Sequence, residues 1–408
     1  MDQEHVAVVG AGQAAASLAM RLRQGGYSGR LTVFGEEPHP PYQRPPLSKA
    51  YLKREWTLDR LYLRPATFWS DLGVEIVTGV PVTAISPGAR TLIAGGRTVP
   101  WIKLAFATGT RPRPLPAGFS GIGGVHELRG LADADRLREE IRPGRRLLVL
   151  GGGYVGLETA AVAVKAGLGV VVVERAGRIL DRVACAETAS IIRDLHAGHG
   201  VRILEGRCVA GVVAENGAIA AVELEDGERI PVDLAIVGIG VLARDELARA
   251  AGIACDNGIL VDVFGRTSAP DVWAAGDCAC FPLDGVPTRL ESVQNAVDQA
   301  ECVADAMLGR PRPYAPVPWF WSDQYDVKLQ IVGLNRGYDA VVRRRSDRGS
   351  SLWYFRKGWM IAVDAVNDAR TYMAAKRMLE AGAEISFAEV SAADFDPVAR
   401  LRRTAPAA

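Results

Sequence analysis

The sequence predicts two parallel, doubly wound α/β domains followed by an α+β domain. Three observations carry that prediction. A strand, glycine turn and helix open the chain, with GAGQAA at 10–15 after the apolar run VAVV at 6–9. The same unit returns farther on, with GGGYVG at 151–156 after LLVL at 147–150. Beyond four prolines at 311, 313, 316 and 318 the pattern changes to short alternating runs.

An unbroken apolar run such as VAVV suits a strand covered on both faces. Gly10 permits the tight turn that follows it. Gly12 has no side chain, so a pyrophosphate can approach the backbone, and the helix behind it offers free N–H groups and partial positive charge. Ala14 and Ala15 close the turn, and the helix is read over 16–24. Ala15 stands where a third glycine is usual and still permits close helix–strand packing. The helix stops at Gly25-Gly26, and a second strand at 30–34 leads to Glu36. An acid at that point, about 20 residues on, is where a ribose hydroxyl is held.

PHPPYQRPPLSK at 38–49 is kept extended by five prolines. It carries Arg44 and Lys49, the usual residue types for an anion or a ring oxygen. No cysteine occurs there, where a flavin disulphide reductase carries a redox pair and an NADH oxidase or peroxidase carries its reactive cysteine. Residues 74–99 read as a small antiparallel insertion. LAFATG at 104–109 is a further strand ending in Ala107-Thr108-Gly109, and Pro112, Pro114 and Pro116 mark a linker.

The second unit is a full G-x-G-x-x-G: Gly151, Gly153 and Gly156, with Tyr154 and Val155 between. VVVV at 170–173 ends in Glu174. A carboxylate there accepts from the ribose 2′-OH of NAD and repels a 2′-phosphate, so NADH is expected over NADPH. Arg175 alongside tempers that preference. The apolar run 234–240, ending Gly238-Ile239-Gly240, reads as the strand leaving this unit, and Asp277 follows a strand and a glycine, where it can meet a ribityl hydroxyl. Two such Rossmann-like units in one chain imply two nucleotides.

Composition limits the function. The 408 residues have a formal net charge of +1 and are 49% hydrophobic and 23% charged. That is ordinary globular usage without the basic excess of a nucleic-acid binder. No apolar run approaches a membrane span, and the start is polar, so a cytoplasmic protein is expected. The six cysteines (185, 208, 255, 278, 280, 302) form no C-x-x-C. Cys278 and Cys280 read as core residues or as a redox pair beside Asp277. His196 and His199 lack a third metal ligand nearby. Arg343, Arg344, Arg345 and Arg348 read as a solvated face or as a dock for an acidic partner.

Several stretches together resemble one family: GAGQAA, PYQRPPLSKAYL at 41–52, ATG at 107–109, GGGYVGLE at 151–158, GDCA at 276–279, ESVQNA at 291–296 and PWFWSDQYDVKLQIVG at 318–333. They are similar to the FAD- and NADH-dependent ferredoxin reductases of bacterial oxygenase systems. The resemblance implies a glutathione-reductase-like fold. An FAD domain at 1–112 and 241–315 surrounds an NAD domain at 113–240, and a C-terminal domain spans 316–408. It assigns Gly10, Gly12, Ala14, Glu36, Arg44, Lys49, Val82, Arg129, Asp277 and Val293 to the flavin. Gly151, Gly153, Gly156, Glu158, Glu174 and Arg182 go to NAD, and Trp321 lies by the isoalloxazine ring. The implied reaction sends a hydride from NADH to flavin N5, then single electrons to a two-iron, two-sulfur ferredoxin that serves a terminal oxygenase. Lys49, Glu158 and Trp321 are the catalytic candidates. Lys49 and Glu158 are expected as an ion pair, either tuning flavin charge or simply structural. An apoptosis-factor-like regulatory protein with slow NADH oxidation and an NADH oxidase are the alternative readings.

Overall fold

The computed structural model describes residues 4–347 and 349–404. The chain divides into two compact units: Met1–Arg44, Trp56–Arg111 and Val241–Pro316 form one, and Pro45–Glu55, Pro112–Gly240 and Val317–Ala408 form the other.

The first unit is built on a five-stranded parallel sheet in the order Val272–Ala274, Lys103–Phe106, His5–Val9, Arg30–Phe34, Glu75–Val77. His5–Val9 lies in the middle and is buried at every residue, as the apolar run Val6–Val9 requires, with the His5 ring hydrogen-bonded to Pro100 and Thr32. Helix Gln13–Gln24 packs on it through Ala15, Ala16, Leu18, Ala19 and Leu22. Helix Val293–Met307 adds Ala300, Val303 and Ala304 to the same core. The stretch read as one antiparallel insertion divides in two. Glu75–Val77 joins the edge of the parallel sheet beside Arg30–Phe34. Only Val82–Ser86, Thr91–Ala94 and Arg97–Pro100 form an antiparallel sheet of their own. Strand pairing is a long-range choice that the local run does not encode.

The second unit repeats the plan. Arg202–Glu205, Gly169–Glu174, Arg146–Leu150, Leu234–Val237 and Val125–His126 form a parallel sheet in that order. Helix Tyr154–Lys165 covers it, and an antiparallel sheet of Val209–Glu215, Ala218–Leu224 and Arg229–Pro231 is inserted. The same unit carries an antiparallel five-stranded sheet, ordered Trp319–Gln324, Val327–Gly333, Trp359–Val366, Ser350–Arg356, Ala340–Arg345. Helix Ala369–Glu380 packs against it through Tyr372, Ala374, Ala375 and Met378. Among the described residues no helix is long and apolar enough to cross a membrane.

Candidate functional site

Each unit holds one glycine cradle, and the two are built alike. Gly10 has φ +107°, and a Cβ there would stand 2.2 Å from the Ala107 carbonyl oxygen. Gly151 also has φ +107°, and its Cβ would stand 2.5 Å from the Gly238 carbonyl oxygen. In both, the turn after the first strand is pressed against the end of a neighbouring strand, which only glycine allows. Gly12 and Gly153 are the opposite case. Space is open where their Cβ atoms would be, and neither caps its helix with a side chain. The start of each helix is therefore open to close approach at its glycine, which fits a pyrophosphate. At the third position Ala15 is fully buried against the sheet, whereas Gly156 lies so close to the Gly151 carbonyl that a Cβ would be 2.5 Å away.

In the first unit, Arg44 and Asp277 come into one neighbourhood. Arg44 Nη2 is 2.5 Å from Glu37 Oε1, and Nη1 donates to the Tyr42 hydroxyl at 3.0 Å. Burial works against the Arg44 charge, but Tyr42, Glu37 and Asp277 outweigh it and raise the guanidinium above its ordinary value. Asp277 sits in the turn Gly276–Cys278, which Gln299 fixes by accepting the Gly276 N–H at 2.8 Å. Glu36 is exposed and pairs with Arg244 at 2.5 Å, an exposed ion pair worth little by itself. The Thr108 hydroxyl donates to the Arg244 carbonyl at 2.6 Å, and Gly109 takes φ +66°. Val293 opens helix Val293–Met307 behind the cap Ser292, and Val82 opens strand Val82–Ser86. Cys278 and Cys280 are buried; burial raises both thiols, and Cys278 donates to the Ala275 carbonyl at 3.4 Å. That is the behaviour of core cysteines.

In the second unit, Glu174 Oε2 accepts the Gly152 N–H at 2.6 Å and Oε1 accepts the Ala176 N–H at 2.7 Å. Val155 is exposed on the first turn of its helix. Arg182 is exposed and approaches Gly240, while the Gly238 N–H donates to the Leu150 carbonyl at 2.8 Å. Lys49 and Arg129 also belong to this unit. The Arg129 N–H donates to Asp133 Oδ2 at 3.1 Å, at the start of helix Leu131–Glu140. Lys49 Nζ reaches Glu158 Oε2 at 2.6 Å, and both are largely buried. Ser48 donates to the same oxygen, and Ser322 donates to Oε1, each at 2.7 Å. Trp321, next to Ser322, is half-buried with its ring 5.9 Å from that of Trp319. His196 hydrogen-bonds Gln324, and His199 stacks on Tyr325.

The arginine cluster divides by strand alternation. Arg343 and Arg345 are exposed. Arg344 turns the other way and donates to the carbonyls of Val390, Ala392, Ala393 and Phe395. Arg348 lies outside the described residues. Arg244, Gln299, Ser48, Ser322 and Gln324 are absent from the sequence reading. Ser322 and Gln324 stand inside the stretch PWFWSDQ, where the tryptophans Trp319 and Trp321 drew attention. Their two-residue spacing on a strand puts both on one face, a signal within reach of the sequence.

Known proteins share this fold. The model of the pyridine nucleotide-disulphide oxidoreductases matches residues 4–300, and a reductase C-terminal model matches 319–405. The chain belongs to the pyridine nucleotide-disulphide oxidoreductase family. Within it, the chain is 42% identical over 387 residues to a ferredoxin–NAD(P)+ reductase of a Sphingomonas species, covering 93% of this chain and 94% of the relative. The crystal structure of the ferredoxin reductase for the CYP199A2 system of Rhodopseudomonas palustris superposes with TM-score 0.95 at 39% identity, over 98% of this chain and 100% of that one. A covalent putidaredoxin reductase–putidaredoxin complex gives 0.93 at 36% identity, over 98% of each chain. The relatives are thus ferredoxin reductases, and the family's cofactors are FAD and a nicotinamide nucleotide. Despite the family's name, the described chain carries no disulphide: all six of its cysteines are free.

Proposed function

We propose that this chain is the reductase component of an oxygenase system, using NADH to reduce a two-iron, two-sulfur ferredoxin and, through it, a terminal oxygenase. The observation that carries the reading is the pair of glycine cradles in a chain without a cysteine in the segment after Glu36. Electrons have no thiol relay there and must leave through the flavin. The likeness along nearly the whole chain to a reductase joined to its ferredoxin supports the same partner.

Bound FAD supplies hydride acceptance and one-electron release. The residues of this chain bind and orient. Gly10, Gly12, Ala14 and Ala15 shape the flavin-side cradle. Glu36, Arg44, Ala107, Thr108, Gly109, Asp277 and Val293 supply its polar and backbone groups, and the family resemblance adds Val82, Arg129 and Trp321. Gly151, Gly153, Tyr154, Val155, Gly156, Arg182 and Gly238 take the nicotinamide nucleotide. Glu174 supports NADH over NADPH, because both its oxygens are fixed by backbone N–H groups and a 2′-phosphate would meet a held negative charge. Lys49 and Glu158 hold opposite charges together where the resemblance sets flavin and nicotinamide. Six unpaired cysteines suit a reducing compartment such as the cytoplasm.

The test is anaerobic mixing of the yellow protein with NADH, followed by addition of two-iron, two-sulfur ferredoxins. Bleaching of the flavin and reduction of a ferredoxin are expected. A preparation that retains no flavin, or that is bleached yet passes electrons to no iron–sulfur protein, overturns the proposal.

A further inference from the structure

Glu158 is only 3% exposed and lies at the head of a buried polar row in the second unit. Lys49 and Ser48 both serve Oε2, so among the described residues Ser322 alone fixes Oε1. Behind Ser322, Gln324 Nε2 stands 3.0 Å from the serine oxygen, and Gln324 Oε1 stands 2.7 Å from His196 Nε2. His196 Nδ1 faces the Tyr325 hydroxyl at 3.4 Å. Ser322, Gln324 and His196 are all buried.

The direction of this row follows from counting hydrogens. An ionised carboxylate only accepts, and a serine hydroxyl has a single hydrogen. With Lys49 at its side Glu158 is the ionised partner, so the Ser322 hydrogen goes to Glu158. The serine oxygen must then accept from Gln324, which fixes the amide with its NH2 towards Ser322. That turns the amide oxygen to His196, which must carry its proton on Nε2. Nδ1 is left as an acceptor for Tyr325. Burial, foremost, lowers the His196 pKa, which favours the neutral ring this assignment needs. Every hydrogen in the row points at Glu158, and each link polarises the next.

We infer that Ser322, Gln324 and His196 form a one-way hydrogen-bonded row that sets the plane of the Glu158 carboxylate, with Ser322 as a positioning residue for hydride transfer from the nicotinamide. The inference rests on the reading of Glu158 as a nicotinamide-side group. Removing the Ser322 hydroxyl leaves the Lys49–Glu158 contact in place and frees Oε1 alone. The carboxylate then turns about its own axis, and the geometry it imposes is lost.

Two measurements test this in the flavin-loaded protein. The first needs no turnover. With 15N-labelled histidine, only five histidines contribute signals. His196 is expected neutral with its proton on Nε2 at pH 7, and that proton's shift is expected to move in Ser322→Ala. A proton on Nδ1, or a shift indifferent to Ser322→Ala, overturns the row. The second is stopped-flow reduction by NADH. Ser322→Ala should slow flavin bleaching about tenfold while NADH affinity changes less than about twofold, and Ser322→Thr should recover most of the rate. In a Glu158→Gln background the same serine change should cost less than about twofold. An equal loss in both backgrounds marks a general disturbance and overturns the positioning role. A parent protein that NADH does not bleach refutes the proposed function instead, and the histidine measurement still decides the row.

Discussion

Glu174 Oε2 accepts the N–H of Gly152 at 2.6 Å, tying the end of one strand to the glycine turn after another. The carboxylate is therefore fixed before any nucleotide arrives. Glu174→Ala should lower kcat/KM for NADH about tenfold, roughly 1.4 kcal/mol, and change the value for NADPH much less. Steady-state comparison of the two coenzymes checks it, and an unaltered ratio would mean that the preference lies elsewhere.

The two kinds of glycine in the first cradle should respond differently to the same change. Gly10→Ala places a Cβ 2.2 Å from the Ala107 carbonyl at φ +107°, so the flavin-free protein should lose about 3 kcal/mol or more of stability. Gly12→Ala meets open space. It should leave the melting temperature of the flavin-free protein nearly unchanged and weaken flavin retention. Thermal unfolding and flavin release during dialysis separate the two. Tight flavin in Gly12→Ala would argue against close approach of a phosphate there.

Asp364 is fully buried, and burial raises its pKa to about 6 even though Tyr354 and Thr188 donate to it. In the unfolded chain an aspartate titrates near 3.9. Between those values the folded protein holds a proton that the unfolded chain has released, so stability falls as pH rises through the window. Asp364→Asn removes that dependence. Its melting temperature relative to the parent should rise between pH 4 and pH 7 by the equivalent of about 1–3 kcal/mol. A difference that stays flat across this range would refute the buried titration.

The three neighbouring arginines should separate into two classes. Arg344 donates to four carbonyls, so Arg344→Ala should cost about 2 kcal/mol of stability with little change in the salt dependence of ferredoxin reduction. Reversing Arg343 and Arg345 to glutamate should spare stability. If this exposed pair meets an acidic ferredoxin, the ferredoxin KM should rise and its salt dependence flatten. Titration of ferredoxin turnover against ionic strength checks both classes, and an unmoved KM in the double reversal would leave these residues as solvated surface.

Much of the site is written locally. Gly10, Gly12, Gly151, Gly153 and Gly156 are legible because a strand, a tight turn and a helix start are decided within about a dozen residues. Glu174 is legible because a strand of known length ends on it. The lack of cysteine in the segment 38–49 needs no structure at all. Arg344 was within reach, since alternation on Ala340–Arg345 separates it from its neighbours once the strand is recognised. The pairing of Glu75–Val77 was not, because a short edge strand carries no record of which neighbour it joins.

By itself the sequence determined the two strand, glycine-turn and helix units, since backbone conformation and short-range periodicity fix those features, and the likeness of its motifs along the chain pointed to the family. Only the tertiary structure decided that Ser48 and Ser322, 110 and 164 positions from Glu158, join Lys49 on its carboxylate. Such meetings depend on how separate segments pack. A buried carboxylate must find its donors wherever the fold brings them.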